Sequence, residues 1–379
     1  MTHVVVVGAG LGGLRAAELL RKSNCDVTVI GDEKHLPYNR PPLSKEALKG
    51  GVDVESLHFR RKREDVQWRL GAPATACSLA ERWVEVGDER VDFDGLVIAS
   101  GIRARHLNVP GSTPTTLRTA DDAIALRDRL TNGASLLIVG AGFIGCEVAA
   151  TARQLRCEVT VTAFDDYPMV RALGPELGAA MQAAHEAHGV HFHLGVGVDE
   201  FHTDGVTTSD GQRLHADVVL EAVGSVPNVE WLQDNDLDLT DGVLTDNLLR
   251  VVGTDAPAVA VGDVARFPNP LFDDVPRRIE HWNMPTETGR QAGRTLADLL
   301  AGASTTEVFT PMPAFWSDQY DIGLQSYGMP GLGAPRLVDG AWDGDCIVEY
   351  HDASGRLVGV VGVNRTRELM PYRTRIGLE

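Results

Sequence analysis

The sequence predicts an α/β fold with two Rossmann-like dinucleotide-binding domains and a small α+β C-terminal domain. Three observations carry that expectation. Residues 4–33, "VVVVGAGLGGLRAAELLRKSNCDVTVIGDE", read as strand, glycine turn, helix and strand. Residues 136–166, "LLIVGAGFIGCEVAATARQLRCEVTVTAFDD", repeat that design. Beyond about residue 306, short alternating segments such as "CIVEYHD" and "RLVGVVGVN" read as strands joined by tight turns.

The first unit opens on an apolar β-branched run that meets Gly8, Gly10, Gly12 and Gly13. In a G-x-G-x-x-G turn the glycines allow a tight bend and close backbone approach to a pyrophosphate, and the following helix presents free N–H groups to it. The next strand ends at Asp32 and Glu33, spaced to reach an adenosine ribose. A shift of 132 residues superimposes Gly8, Gly10 and Gly13 on Gly140, Gly142 and Gly145, and Cys25-x-Val-Thr-Val on Cys157-x-Val-Thr-Val. In the second unit Ala163 and Phe164 precede Asp165 and Asp166, so the ribose acid is displaced. The first basic residue after them is Arg171, which favours NADH over NADPH. A unit at the N-terminus commonly holds FAD and a later one the nicotinamide nucleotide, and that order is expected by analogy.

The turn-rich "LNVPGSTPTT" at 107–116 reads as the linker out of the first domain, and "ADVVLEAVGSVPN" at 216–228 closes the second. The apolar strand ending at Gly262-Asp263 reads as a return to the first domain, and the helix-like 286–302 ends on a capping glycine. The expected division is 1–112 with 240–305 for the first domain, 113–239 for the second and 306–379 for the third.

A net charge of −18 disfavours nucleic acid and anionic membranes as partners. No leader peptide or membrane-length apolar run is visible, and five scattered cysteines fit a reducing, cytoplasmic setting without structural disulfides or metal. His185, His188, His191 and His193 lie close in sequence, but no cysteine accompanies them, and they read as solvated side chains.

Several motifs are more specific than a glycine turn: "GAGLGG", "PYNRPPLSK" at 37–45, "IASG" at 98–101, "LRTADDA" at 117–123, "GAGFIGCE", "AVGSVPN", "AVGDVA", "EHWN" and "FWSDQY". Together they resemble the FAD-dependent, NAD(H)-utilising ferredoxin reductases that serve bacterial cytochrome P450 and Rieske-type oxygenase systems, over nearly the whole chain. The resemblance implies a glutathione-reductase-like fold in which the third domain is an interface domain. It implies that Lys45 faces the flavin and pairs with Glu147, and that Trp316 packs near the isoalloxazine. It also places Arg40, Pro41, Ala74, Ser100, Gly101, Arg118, Asp263, Glu280, His281 and Trp282 at FAD, and Ile144 and Gly224 at the nicotinamide nucleotide. Pro285 and Thr288 depart from the family pattern, standing where alanine and glutamine are common.

Related disulfide reductases relay electrons through cysteines beside the flavin. None stands in "PPLSK", so the expected route is hydride from NADH to FAD, then single electrons to a [2Fe-2S] ferredoxin. An acidic ferredoxin needs a basic patch, for which Arg365, Arg367, Arg373 and Arg375 are preferred over "RRKR" at 60–63. An NADH oxidase, a redox-sensing flavoprotein resembling apoptosis-inducing factor, and a reductase of rubredoxin or monodehydroascorbate remain alternatives.

Overall fold

The computed structural model describes residues 2–50, 53–61, 65–303 and 307–378. The chain forms two compact units, one of residues 1–39, 57–103 and 226–314, the other of 40–56, 104–225 and 315–379.

In the first unit, β1 (His3–Val7), α1 (Leu11–Lys22) and β2 (Asp26–Ile30) make the opening βαβ element. β1 pairs in parallel with β2 on one side and with Gly95–Ile98 on the other. The sheet order is Ala258–Ala260, Gly95–Ile98, β1, β2, Gln67–Arg69. Strand order therefore changes direction beside β1, the switch point where open α/β sheets take their ligands. Val4, Val5, Val6, Val27 and Val29 are fully buried, as expected of β-branched strands covered on both faces.

The helix Met284–Leu300 packs on α1 through small residues. A Cβ on Gly289 would lie 2.6 Å from the Gly12 carbonyl oxygen, and one on Gly293 3.1 Å from Leu19 Cβ. The helix stops after Ala301, and Gly302 takes a left-handed φ of 68°, the expected glycine stop.

The second unit repeats the element as β3 (Ser135–Val139), α2 (Phe143–Gln154) and β4 (Glu158–Ala163). Its parallel sheet runs Val190–Leu194, β4, β3, Val218–Glu221. The C-terminal residues of this unit belong to a five-stranded antiparallel sheet, ordered Ala314–Gln319, Ile322–Gly328, Leu357–Val363, Cys346–His351, Ala334–Gly340. Its helical content is short 3-10 turns at Pro330–Leu332 and Met370–Thr374. Tyr350 ties this sheet to the nucleotide fold by donating its buried hydroxyl to the Leu173 carbonyl at 2.7 Å. Among the described residues no helix is long and apolar enough to cross a membrane.

Candidate functional site

Both glycine turns divide their glycines into two kinds. A Cβ on Gly8 would overlap the Ala99 carbonyl oxygen, and one on Gly13 the Gly8 carbonyl oxygen. In the second turn Gly140 meets Ala222 and Gly145 meets Gly140 in the same way. The middle residues differ: nothing lies within 4 Å of a Cβ on Gly10 or Gly142. The outer glycines are thus required by the chain's own packing, and the middle ones leave open space in front of a helix N-terminus. Gly10 and Gly142 are extended N-caps without a capping side chain, and neither helix has an acid in its first turn. The donors and the dipole are therefore available to an anion, which fits a dinucleotide pyrophosphate in each unit.

At the end of β2, Asp32 is exposed and its carboxylate accepts from the Glu33 N–H at 2.9 Å. Glu33 accepts from the Tyr38 hydroxyl at 2.6 Å. The Gly71 N–H bonds the Glu33 carbonyl, bringing the turn before Ala74 to this carboxylate pair. Ser100 and Gly101 are locked to Asn228: Ser100 Oγ donates to its carbonyl at 2.7 Å, and Asn228 returns bonds to the Ser100 and Gly101 carbonyls.

Asp263 lies in a 3-10 turn directly after the strand Ala258–Ala260. Arg278 donates to the Asp263 carbonyl at 3.1 Å and to the Glu280 carboxylate at 2.6 Å, so one guanidinium gathers both. Burial pushes the His281 imidazole down to about 4 against the pull of Glu280, leaving it neutral at neutral pH. Trp282 is 40% exposed and donates from Nε1 to Asn39 at 3.0 Å.

The two family departures near this segment have local reasons. Pro285 sits in the first turn of its helix, where no intrahelical N–H is needed. The fully buried Thr288 hydroxyl accepts from the Gly262 N–H at 2.9 Å and donates to the Met284 carbonyl at 2.6 Å. Thr288→Val keeps the shape but strands the Gly262 N–H. The expected loss is about 1–3 kcal/mol of stability with weakened flavin retention, read by thermal melting and by flavin content after gel filtration. Unchanged values for both would show that the Gly262 turn does not depend on this hydroxyl.

In the second cradle Ile144 is 44% exposed and Phe164, just past β4, is 77% exposed. Asp165 forms an ion pair with Arg171 at 3.2 Å. Gly224 has φ of 102°, and its carbonyl accepts from the Arg105 N–H at 3.0 Å.

The motif "PPLSK" forms a 3-10 turn, Pro41–Ser44, with Lys45 following it. Lys45 Nζ lies 2.7 Å from Glu147 Oε2, and the same oxygen accepts from Ser44 Oγ at 2.5 Å. Glu147 Oε1 accepts from Ser317 Oγ at 2.6 Å. Glu147 is only 8% exposed, so a buried carboxylate has one cation and two hydroxyls as partners. Thr151, one turn along α2, donates to the Ser44 carbonyl at 2.8 Å and fixes the turn to the helix. Arg40 donates to the Arg118 carbonyl at 2.8 Å, and Arg118 precedes a Thr119–Asp122 capping box. Trp316 is half-buried on the strand that carries Ser317.

Sequence reasoning did not find Ser44, Ser317, Gln319, Asn228 or Arg278. The available signal was period-two spacing: Ser317 and Gln319 are the buried members of Ala314–Gln319, polar where an apolar face is expected.

The histidine cluster corrects an expectation. His185 is fully buried rather than solvated, since α-helical spacing turns it inward against Gln319 and Tyr320. His188 and His191 are exposed, and His188 stacks on Tyr320 with ring centroids 3.7 Å apart. Among the described residues no group of His, Cys, Asp and Glu is arranged to hold a metal ion. All five cysteines are buried and free, and burial pushes Cys146 and Cys77 up to about 12.

Of the C-terminal arginines, Arg375 pairs with Glu349 at 3.1 Å and lies over the Tyr372 ring. Arg365 lies within 4 Å of Asp339 and Glu368. Arg367 and Arg373 are exposed on either side of Met370, itself 52% exposed. Of the 60–63 run, Arg60 and Arg61 are exposed, and Lys62 and Arg63 lie outside the described residues.

Residues 2–289 match the family described as pyridine nucleotide-disulphide oxidoreductase, and residues 314–378 match a reductase C-terminal module. The chain is 35% identical to rhodocoxin reductase of Rhodococcus erythropolis, covering 99% of this chain and 90% of that protein. It is also 35% identical to the ferredoxin–NAD(+) reductase component of the anthranilate 1,2-dioxygenase system of Burkholderia cepacia, over 98% of this chain and 93% of that protein. The crystal structure of a covalent putidaredoxin reductase–putidaredoxin complex matches with a TM-score of 0.89 at 31% identity, over 99% of this chain and 93% of that one.

Proposed function

Because this chain belongs to the pyridine nucleotide-disulphide oxidoreductase family and carries its reductase C-terminal module, we propose that it is an FAD-dependent NADH:ferredoxin reductase. Its ferredoxin would be of the [2Fe-2S] type, feeding a cytochrome P450 or a Rieske-type oxygenase. A relative named for a dioxygenase system and a solved ferredoxin reductase named for the CYP199A2 system, both similar over nearly their whole lengths, support this reading. The observation that carries it is the pair of cradles, each with an open middle glycine before an uncapped helix. FAD held in the first cradle would supply the chemistry that accepts a hydride from NADH and passes the electrons on singly.

We assign the FAD domain to 1–112 with 240–305, the NAD(H) domain to 113–239 and the interface domain to 306–379. In the FAD domain Gly8, Gly10, Gly12 and Gly13 cradle the pyrophosphate. Asp32 and Glu33 take the ribose hydroxyls. Asp263 is held for the ribityl chain by the Gly262 and Arg278 bonds. In the NAD(H) domain Gly140, Gly142 and Gly145 serve the second pyrophosphate, and Asp165 the ribose. Lys45, oriented by Glu147, would stabilise negative charge on the reduced flavin.

The decisive experiment is steady-state turnover with NADH and a panel of [2Fe-2S] ferredoxins, cytochrome c reporting the electrons. Reduction dependent on a ferredoxin and faster than oxygen consumption is expected. Oxygen consumption as the dominant route would replace this assignment with an oxidase.

The docking surface we propose is built on Arg367 and Arg373, because Arg375 is tied to Glu349 of the C-terminal sheet. Arg367→Glu with Arg373→Glu should slow ferredoxin reduction about tenfold at low ionic strength, leaving NADH-to-ferricyanide turnover intact. Equal loss of both activities would place the ferredoxin elsewhere.

A further inference from the structure

A hydrogen-bonded chain runs from Glu147 into the second unit's interior. Ser317 Oγ meets Glu147 Oε1 at 2.6 Å, and Gln319 Nε2 donates to Ser317 Oγ at 2.9 Å. Gln319 Oε1 lies 2.7 Å from His185 Nε2, and the Tyr320 hydroxyl is 3.4 Å from His185 Nδ1. Ser317, Gln319 and His185 are essentially fully buried.

The polarity of this chain follows from its end. A charged carboxylate only accepts, so Ser317 must donate its proton to Glu147 and accept from the Gln319 amide N–H. That fixes the Gln319 oxygen towards His185, which must then carry its proton on Nε2 and leave Nδ1 as acceptor for Tyr320. Every donor in the series points towards Glu147. The groups facing Glu147 are Lys45, Ser44, Ser317 and the neighbouring Cys146 thiol, and those facing His185 are Gln319, Tyr320 and His188. Burial lowers the His185 pKa, which suits the neutral ring this polarity requires.

We propose that Ser317, Gln319 and His185 are positioning residues that hold the Glu147 carboxylate aimed at Lys45, so that strand Ala314–Gln319 of the C-terminal sheet sets the geometry of the Lys45–Glu147 pair. This rests on the reading that the pair acts on hydride transfer to flavin. The reach is long: Glu147 and Ser317 are 170 residues apart in sequence. It is also continuous, with no break in the donor–acceptor order.

The test is a double-mutant cycle on the FAD-loaded protein, following flavin reduction by NADH in stopped flow across pH. Ser317→Ala removes one hydroxyl and Gln319→Leu interrupts the chain with little change in volume. Each should slow hydride transfer roughly tenfold in the native background and less than about twofold in a Glu147→Gln background, with the pH profile displaced in the same direction as in Glu147→Gln. If each variant slows the reaction equally in both backgrounds, or leaves the native rate and profile unchanged, the positioning role is overturned. Should Glu147→Gln itself reduce flavin at the native rate and pH profile, the reading of the pair fails and this proposal falls with it. Flavin content and melting temperature, taken alongside, separate a folding defect from either result, and Ser317→Ala alone decides the matter if Gln319→Leu fails to fold.

Discussion

Gly10→Val is expected to give a folded protein that purifies without flavin, and Gly142→Val a yellow protein that NADH no longer reduces at ordinary concentrations. Gly10 has φ −87° and ψ −171°, and Gly142 φ −78° and ψ −174°, so both are in extended backbone that valine tolerates. A Cβ at either position meets no protein atom within 4 Å, so the fold has no reason to fail. The added side chain fills the space in front of the helix N-terminus instead. Loss of the close backbone approach should cost at least 100-fold in affinity, about 3 kcal/mol. Gly8→Ala and Gly140→Ala should do the opposite. Their φ values of 122° and 110° strain any side chain, and the new Cβ overlaps a backbone carbonyl, so these proteins should be poorly folded whatever cofactor is supplied. Flavin absorbance per protein, NADH titration and circular dichroism distinguish the four variants. Full flavin occupancy in Gly10→Val would move the FAD site out of the first turn.

Lys45→Met is expected to damage both stability and chemistry. It leaves Glu147 as a largely buried carboxylate supported, among the described residues, by the Ser44 and Ser317 hydroxyls. Removing one partner of a buried pair costs about 3 kcal/mol, and here that corresponds to a melting temperature lower by roughly 5 °C. Pairing Lys45→Met with Glu147→Gln should return most of the stability, because the uncompensated charge is gone. The rate of flavin reduction should not return with it. If Lys45 has the role proposed for it, the cation for reduced flavin is still missing, and hydride transfer should remain slower by roughly tenfold to a hundredfold. Thermal melts and stopped-flow reduction of the same three proteins check the two effects independently. A double variant that regained the native rate would confine Lys45 to a structural role.

The two glycine turns were legible because their physics is local. Within one βαβ element, strand, turn and helix fix each other over about thirty residues, and a 132-residue repetition makes the pattern unmistakable. The cap of the helix ending at Gly302, the 3-10 turn at Pro41–Ser44 and the strands of the C-terminal sheet follow from equally short-range preferences. The His185 expectation failed for the complementary reason. Histidine is compatible with water or with a satisfied interior site, and only the packing of Gln319 and Tyr320 against its helix decided between them.

What the sequence by itself determined is therefore the presence of two βαβ elements, each with its glycine turn ahead of a helix. The pairing of Lys45 with Glu147 was already implied by the resemblance and is present in the structure; the tertiary structure alone decided that Ser44 and Ser317 would complete it, and that Thr288 would hold the Gly262 turn. Local backbone geometry encodes the first kind of information in adjacent residues. The second depends on hydrogen bonds that exist only after segments 26 to 170 residues apart are packed together and largely cut off from water, where an unpaired donor or charge is costly enough to fix its neighbours.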